Sequence, residues 1–227
     1  MFNNEFPDFP QMGETPFPNF PQINEVQFPD FLQMNRNTLF IVPPSNGPEP
    51  EPIPCFREDT NILCYINEKE IYVKVQDILP GMRVKTLKCG YLLVDMIGKK
   101  KLNNPGHHSR IPNRIYKCTK ENYPEIIDDL FITGHHSILV DEVSEKQREE
   151  IQDLYGYVYV TDDKYRLPCF LDMKSEVVEK EESVIIFHIA LENNDYYSNY
   201  GIYANGLLVE SCSKRYLKEL SNMVLIV

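Results

Sequence analysis

A chain of 227 residues, 42% of them hydrophobic and with a net charge of −11, has room for one globular domain and an appendage. The acidic balance argues against a general nucleic-acid binder, which needs a basic footprint. The longest aliphatic runs, such as Val184–Phe187, are too short to cross a bilayer, and Met1-Phe2-Asn3-Asn4-Glu5 has neither the basic start nor the apolar core of a secretory signal. The expectation is a soluble, intracellular protein that meets no membrane.

The composition is uneven. Residues 1–54 hold 12 of the 17 prolines and a single cation, Arg36, against seven acidic residues. Within them an imperfect 11-residue unit recurs: Phe6-Pro7-Asp8-Phe9-Pro10-Gln11-Met12, Phe17-Pro18-Asn19-Phe20-Pro21-Gln22-Ile23 and Phe28-Pro29-Asp30-Phe31-Leu32-Gln33-Met34. Proline this dense forbids helix and spoils sheet pairing, so residues 1–42 are expected to be a disordered tail. Two readings of the repeat stand: three copies of a short peptide that docks on a protein partner, or a lead produced by repeat slippage. Residues 43–54 are a proline-rich linker that delivers the chain, extended, to Cys55.

From Cys55 onward the pattern is mostly β. Ile62–Ile66 and Ile71–Val75 read as a hairpin around Asn67-Glu68-Lys69-Glu70. Leu79-Pro80-Gly81-Met82 is a turn that feeds the alternating strand Arg83–Leu87. Another strand follows over Tyr91–Ile97, and Lys99-Lys100-Lys101 reads as a solvated hairpin edge before the loop Asn103-Asn104-Pro105-Gly106. Asn122 with Glu125 frames a capped helical turn through Leu130. Phe131–Val140 returns to strand. Ser144 with Gln147 opens the clearest helix, which ends at Tyr155 before Gly156. Strands resume at Tyr157–Thr161, Val184–Leu191, Gly201–Tyr203 and Leu207–Val209, and a short amphipathic helix, Lys214–Leu220, stands in the closing stretch 213–227. Many short strands separated by regular turns indicate an all-β, sandwich-like core with one or two helical inserts.

Six cysteines (55, 64, 89, 118, 169 and 212) stand in a chain with no export signal, which favours free thiols over disulfides. Cys64, Cys89, Cys118 and Cys169 read as buried small hydrophobes. There is no C-x-x-C, and the two His-His pairs are not at helical i, i+4 spacing, so neither a metal site nor a cofactor is expected.

Cys55 stands apart from these because it closes the proline-rich lead, at Pro52-Ile53-Pro54-Cys55-Phe56. A free thiol has a pKa near 8.5, so little is thiolate at neutral pH. Attack on the preceding carbonyl has the distance problem already solved, because nucleophile and electrophile are adjacent in the chain. What remains is to activate the thiol, stabilise the oxyanion and protonate the departing nitrogen. Thr133 and His136, in Thr133-Gly134-His135-His136, supply a hydroxyl and an imidazole three residues apart. The reading places Thr133 near the scissile carbonyl and has His136 give a proton to the Cys55 nitrogen.

Taken in order, these segments resemble the Hint module shared by Hedgehog autoprocessing domains and inteins. Cys55-Phe56 with Thr60, Ile62 and Leu63 resembles its opening, and Ile78-Leu79-Pro80-Gly81-Met82 is similar to its proline-glycine turn. Ile132-Thr133-Gly134-His135-His136-Ser137-Ile138 resembles its Thr-x-x-His block. Phe187-His188-Ile189 with Leu191 and Glu192 is similar to its late strand, with His188 where Asp is frequent. Tyr203–Val209 resembles its closing strand. The likeness covers residues 55–212 and extends in general cast to Hint-domain proteins of large DNA viruses. It implies a horseshoe-like β fold whose ends meet at the active centre, and catalytic roles for Cys55, Thr133, His136, His188 and Cys212. The substrate it implies is the chain's own N-terminal segment.

The departures set the limits. Splicing needs an Asn whose side-chain amide attacks its own carbonyl, and here the matching residues are Glu210-Ser211-Cys212. Serine has no amide nitrogen, so that step is unavailable. What the resemblance implies is an acyl shift at Cys55 with cleavage or transfer of residues 1–54, as a single-turnover reaction. Two other readings stay open. One is an inactive Hint-fold scaffold that presents the Phe-Pro repeats, favoured by the missing Asn, by His188 and by Pro54. The other is a cysteine peptidase acting in trans through Cys55 and His136.

Overall fold

The computed structural model describes residues 53–227; the expected disordered tail and most of the proline-rich linker lie outside the described residues. In chain order the strands are β1 (Phe56–Arg57), β2 (Asn61–Ile66), β3 (Lys69–Lys74), β4 (Arg83–Lys85), β5 (Tyr91–Asn104), β6 (Ile115–Cys118), β7 (Leu130–Thr133) and β8 (Ser137–Val140). Helix α1 (Glu145–Tyr155) follows, then β9 (Val160–Thr161), β10 (Lys164–Pro168), β11 (Glu176–Val177), β12 (Glu182–Leu191), β13 (Gly201–Ala204), β14 (Leu207–Glu210) and β15 (Val224–Ile226). The chain is mostly β, in line with the pattern of its sequence. No helix of the described residues is long and apolar enough to cross a membrane.

The strands form one antiparallel path, β11-β6-β7-β1-β12-β5-β4-β2-β13-β14-β8-β10-β9, with β3 beside β2 and β15 beside β5. Strand β5 holds the path together. Its Tyr91–Leu93 end pairs with β4, while Met96–Asn104 pairs with β12. Strand β1 is only two residues long, yet it lies in the middle of the sheet, with Phe56 opposite Ile132 of β7 and Phe187 of β12. Sheet strands covered on both faces read as continuous apolar runs, and β12 is one. Phe187, Ile189 and Leu191 enter the larger core with Phe56, Ile97 and Ile132. Val184, Ile186 and Ala190 enter a second core with Cys55, Met96, Cys212, Leu217 and Met223. Each aliphatic or aromatic side chain so buried contributes roughly 1.5–3 kcal/mol.

Turn chemistry sets the register. Asn67 and Glu68 are both left-handed, with φ of 50° and 63°, and close a two-residue hairpin between β2 and β3. Asn205 and Gly206 do the same between β13 and β14, with φ of 45° and 93°. Asn205 also accepts from the Asn61 N–H at 2.6 Å and donates to the Asp129 carbonyl at 2.7 Å, tying three segments together. Helix α1 has the full capping box expected of Ser144 and Gln147, and ends on left-handed Gly156.

Several expectations are corrected. The β2–β3 turn is two residues, so Lys69 and Glu70 belong to the strand. The strand from Tyr91 runs on through the three lysines to Asn104. That run is therefore not the edge of a hairpin: all three lysines pair with β12, and β15 lies along the other side as far as Lys99. No helix forms over 122–130: the Ile127 N–H is drawn to the Asn205 carbonyl at 2.9 Å, and Pro124 restrains the residue before it. The run 131–140 breaks into β7 and β8 around Gly134–His136. The strand expected at Tyr157–Thr161 is reduced to Val160–Thr161, and β10 follows it across a turn at Asp162 and Asp163, whose φ values are 52° and 62°. The stretch 213–227 carries the extra strand β15 and a π-helical turn at Tyr216–Leu220. All six cysteines are free, but Cys89 is exposed rather than buried, on the turn before β5.

Candidate active site

The five residues singled out in the sequence converge where β1, β7, β12 and the segment after β14 meet. Cys55 is placed by the insertion of β1 between β7 and β12. The turn after β7 is closed by its own main chain. The His136 N–H donates to the Thr133 carbonyl at 3.0 Å, Gly134 N–H to Arg114 at 2.9 Å, Cys169 N–H to His136 at 2.9 Å and Phe170 N–H to Gly134 at 3.0 Å. Gly134 is required there, because a Cβ would stand 2.6 Å from the Pro112 carbonyl oxygen and 2.8 Å from the Tyr116 ring. The turn is thus held rigidly against the incoming strand.

Thr133 spans the peptide bond between Pro54 and Cys55. Its Oγ1 accepts the Cys55 N–H at 2.8 Å and donates to the Ile53 carbonyl, while its own N–H donates to the Cys55 carbonyl at 2.9 Å. The hydroxyl therefore holds the Cys55 nitrogen and the Ile53 carbonyl, whereas the expectation put it beside the Pro54 carbonyl. Ile53 was not legible as part of the site, because its role is a main-chain oxygen.

His136 and His188 are fully buried and 5.1 Å apart between ring centroids, with the Phe56 ring 4.3 Å from His136 and 5.7 Å from His188. Among the described residues, no partner stands in hydrogen-bonding geometry to a ring nitrogen of His188, whereas the His136 ring approaches the main chain of Glu210 and Cys55. Burial pushes His136 down to about 3, with the main chain of Glu210 and Cys55 opposing that shift. His188 is held well below its ordinary value by burial and then by His136. Both rings are neutral at pH 7, so His188 does not supply a positive charge to Cys55. Buried polar atoms without partners call for an explanation. His188 is such a group, packed against His136.

The Cys55 thiol lies in the apolar second core, 4.0 Å from the Met223 sulfur, and burial pushes its pKa well up against a weaker opposing pull from Lys100. Cys212 shares that core; it bridges Ala190, and its Sγ is 3.2 Å from the Ile189 carbonyl. Its pKa is also pushed up, by burial first and then by Cys55 and Glu210. Ser211 is buried, accepting the Tyr200 N–H at 3.0 Å and donating its own N–H to Tyr200 at 2.7 Å. Glu210 pairs with Arg166 at 3.3 Å.

Pro54 borders two adjoining cavities. One of about 260 Å³ is lined by His135, Tyr155, Arg166, Glu210 and Tyr216. The other, of about 440 Å³, reaches His188 and Cys212. Among the described residues, no group of three or more His, Cys, Asp or Glu is placed to hold a metal ion.

The sequence reading missed Met223 and Leu217. The strand expected from Tyr91 stops at Ile97; once it runs on through Gly98, that glycine marks the close approach of another part of the chain.

No family model matches the chain, and no curated protein matches it in sequence. Among solved structures it is similar to the gp41-1 intein, with 16% identity and a TM-score of 0.35 over 69% of this chain and 97% of that one.

Proposed function

We propose that this chain is a Hint-type self-processing protein that moves its N-terminal segment onto the Cys55 sulfur. The observation that carries the reading is the Thr133 hydroxyl bonded to the Cys55 amide at 2.8 Å, in a buried site that also holds His136, His188 and Cys212. The Cys55 Sγ adds to the Pro54 carbonyl carbon, forming a C–S bond. The C–N bond to Cys55 then breaks, leaving a thioester on the sulfur and a free amine at the Cys55 nitrogen. The thiol proton ends on that nitrogen, handed over by His136. A ring with its pKa pushed down to about 3 holds a proton poorly, so it passes the proton on rather than storing it. Thr133 keeps the peptide plane fixed through the shift, and His188 orients His136.

Cys212, in the same apolar core, is the acceptor within the chain; a thiol or water entering beside Pro54 is the alternative acceptor. Serine at 211 gives no amide for cyclisation, so the reaction stops at cleavage or transfer of residues 1–54. The test is intact mass with and without dithiothreitol, beside Cys55→Ala. A break between Pro54 and Cys55 that the thiol accelerates and the variant lacks supports the reading. An uncut chain under both conditions removes it.

A second reading, an inactive scaffold for the Phe-Pro repeats, is favoured by the protonated thiol facing Met223. It predicts that the chain persists uncut while it retains a partner for residues 1–42.

A further inference from the structure

Residues 213–227 follow the last of the motifs, yet they cover the Cys55 sulfur. Met223 Sδ lies 4.0 Å from it. Beneath them, a Cβ at Gly98 would sit 2.7 Å from Leu217 Cδ2 and 2.8 Å from Met223 Sδ. The missing side chain is a seat into which both residues fit. The start of the stretch is anchored: Lys214 pairs with Asp95 at 3.0 Å and donates to the Asn193 carbonyl at 3.0 Å, and the Arg215 N–H donates to the Tyr196 carbonyl at 3.1 Å. Beyond it the attachments are fewer, and Glu219 accepts from the Tyr196 hydroxyl at 3.1 Å. Three residues of β15 pair with β5, from Val224 opposite Lys99 to Ile226 opposite Ile97, and Lys100 Nζ donates to the Ser221 carbonyl at 3.4 Å. Val224 is 73% exposed, so its side chain adds nothing to the seal. The connecting turn Tyr216–Leu220 is π-helical, a rare geometry concentrated at functional places. Tyr216 stands edge-on to His188 at 6.2 Å and borders both cavities beside Pro54.

The geometry points to residues 216–227, hinged on the anchored Lys214 and Arg215, as a lid that decides which nucleophiles reach the Cys55 sulfur and the acyl group formed on it. Closed, the lid keeps water from the sulfur and protects a thioester against hydrolysis. Open, it admits an external acceptor. Buried Leu217 and Met223, half-buried Tyr216 and Leu225, two hydrogen bonds to Glu219 and Ser221 and three strand pairs are a local attachment, able to part while the rest of the sheet stays folded. Control of the acceptor rests on the self-processing reading; shielding of the thiol does not.

The lid is tested by the rate at which iodoacetamide labels each cysteine of the full chain, read by peptide mass, in the natural chain and in Gly98→Ala and Met223→Ala. Gly98→Ala denies Leu217 and Met223 their seat; Met223→Ala removes the cover itself. Exposed Cys89 is the reference in all three. Labelling of Cys55 rises about tenfold in either variant, equivalent to about 1.4 kcal/mol in the cost of opening, while Cys64, Cys118 and Cys169 stay protected. Unchanged labelling of Cys55 in both variants overturns the lid. So does a joint rise at every buried cysteine, because a segment that parts only when the whole sheet opens is not a lid. Faster labelling of Cys55 in a chain that never cleaves would leave the lid standing and remove the self-processing reading.

Discussion

The Thr133 hydroxyl accepts the amide hydrogen of Cys55 at 2.8 Å across 78 residues of chain. The same oxygen donates to the Ile53 carbonyl, so one side chain clamps both sides of Pro54. Thr133→Val keeps the shape and removes both bonds, leaving a buried N–H and a buried carbonyl unpaired. The expected cost is about 1–3 kcal/mol in stability, with thiol-induced cleavage slowed as well. Thr133→Ser retains both properties. Urea unfolding and cleavage time courses on the two variants check this; equal behaviour of Val and Ser would contradict it.

The two buried imidazoles make the fold sensitive to acid. Their folded pKa values are depressed, His136 to about 3, so the unfolded chain binds more protons than the folded one as pH falls below about 6.5. Stability is therefore complete above that value and falls below it, by about 1.4 kcal/mol per pH unit for each histidine protonated only in the unfolded chain. Urea midpoints at pH 7.5 and pH 5.5 show the loss. His136→Phe reduces the slope; an unchanged slope in that variant would assign the acid sensitivity elsewhere.

Gly134 leaves no room for a methyl group, with the Pro112 oxygen 2.6 Å from where it would sit. Gly134→Ala is expected to destabilise by about 1–3 kcal/mol and to move His136 off the Cys55 main chain. Cleavage then falls further than stability explains. A variant that folds and cleaves normally would show that the turn tolerates displacement.

Ser211→Asn supplies the amide that splicing chemistry uses, but into a site with no exposed surface and with both Tyr200 main-chain groups already engaged. The expectation is a less stable chain with no cleavage on the C-terminal side of position 211. Mass analysis of its products decides: a C-terminal fragment would overturn this.

Much of the site was legible because its residues lie in short segments whose order and local pattern identify them. Thr133 and His136 share one turn, Cys55 closes the proline-rich lead, and His188 lies in the apolar strand β12. What was hidden depends on contacts between distant positions. Met223 meets Cys55 across 168 residues, and no periodicity announces that meeting. Lys99–Lys101 misled because a strand can hold alternate side chains toward solvent while its backbone is paired: all three lysines pair with β12, and Lys99 with β15 as well. Asn122 and Glu125 imitate a capping box, but the bond from Ile127 to Asn205 wins over the helix that the pattern suggests.

A thioester on the Cys55 sulfur is open to trapping by hydroxylamine. Hydroxylamine attacks a thioester carbonyl and releases the acyl group as a hydroxamate. The account predicts a fragment ending at Pro54 with a hydroxamate at its carboxyl end, formed by the natural chain and absent from Cys55→Ala. A natural chain that keeps its full mass in hydroxylamine, or a Cys55→Ala chain that yields the same fragment, would contradict it.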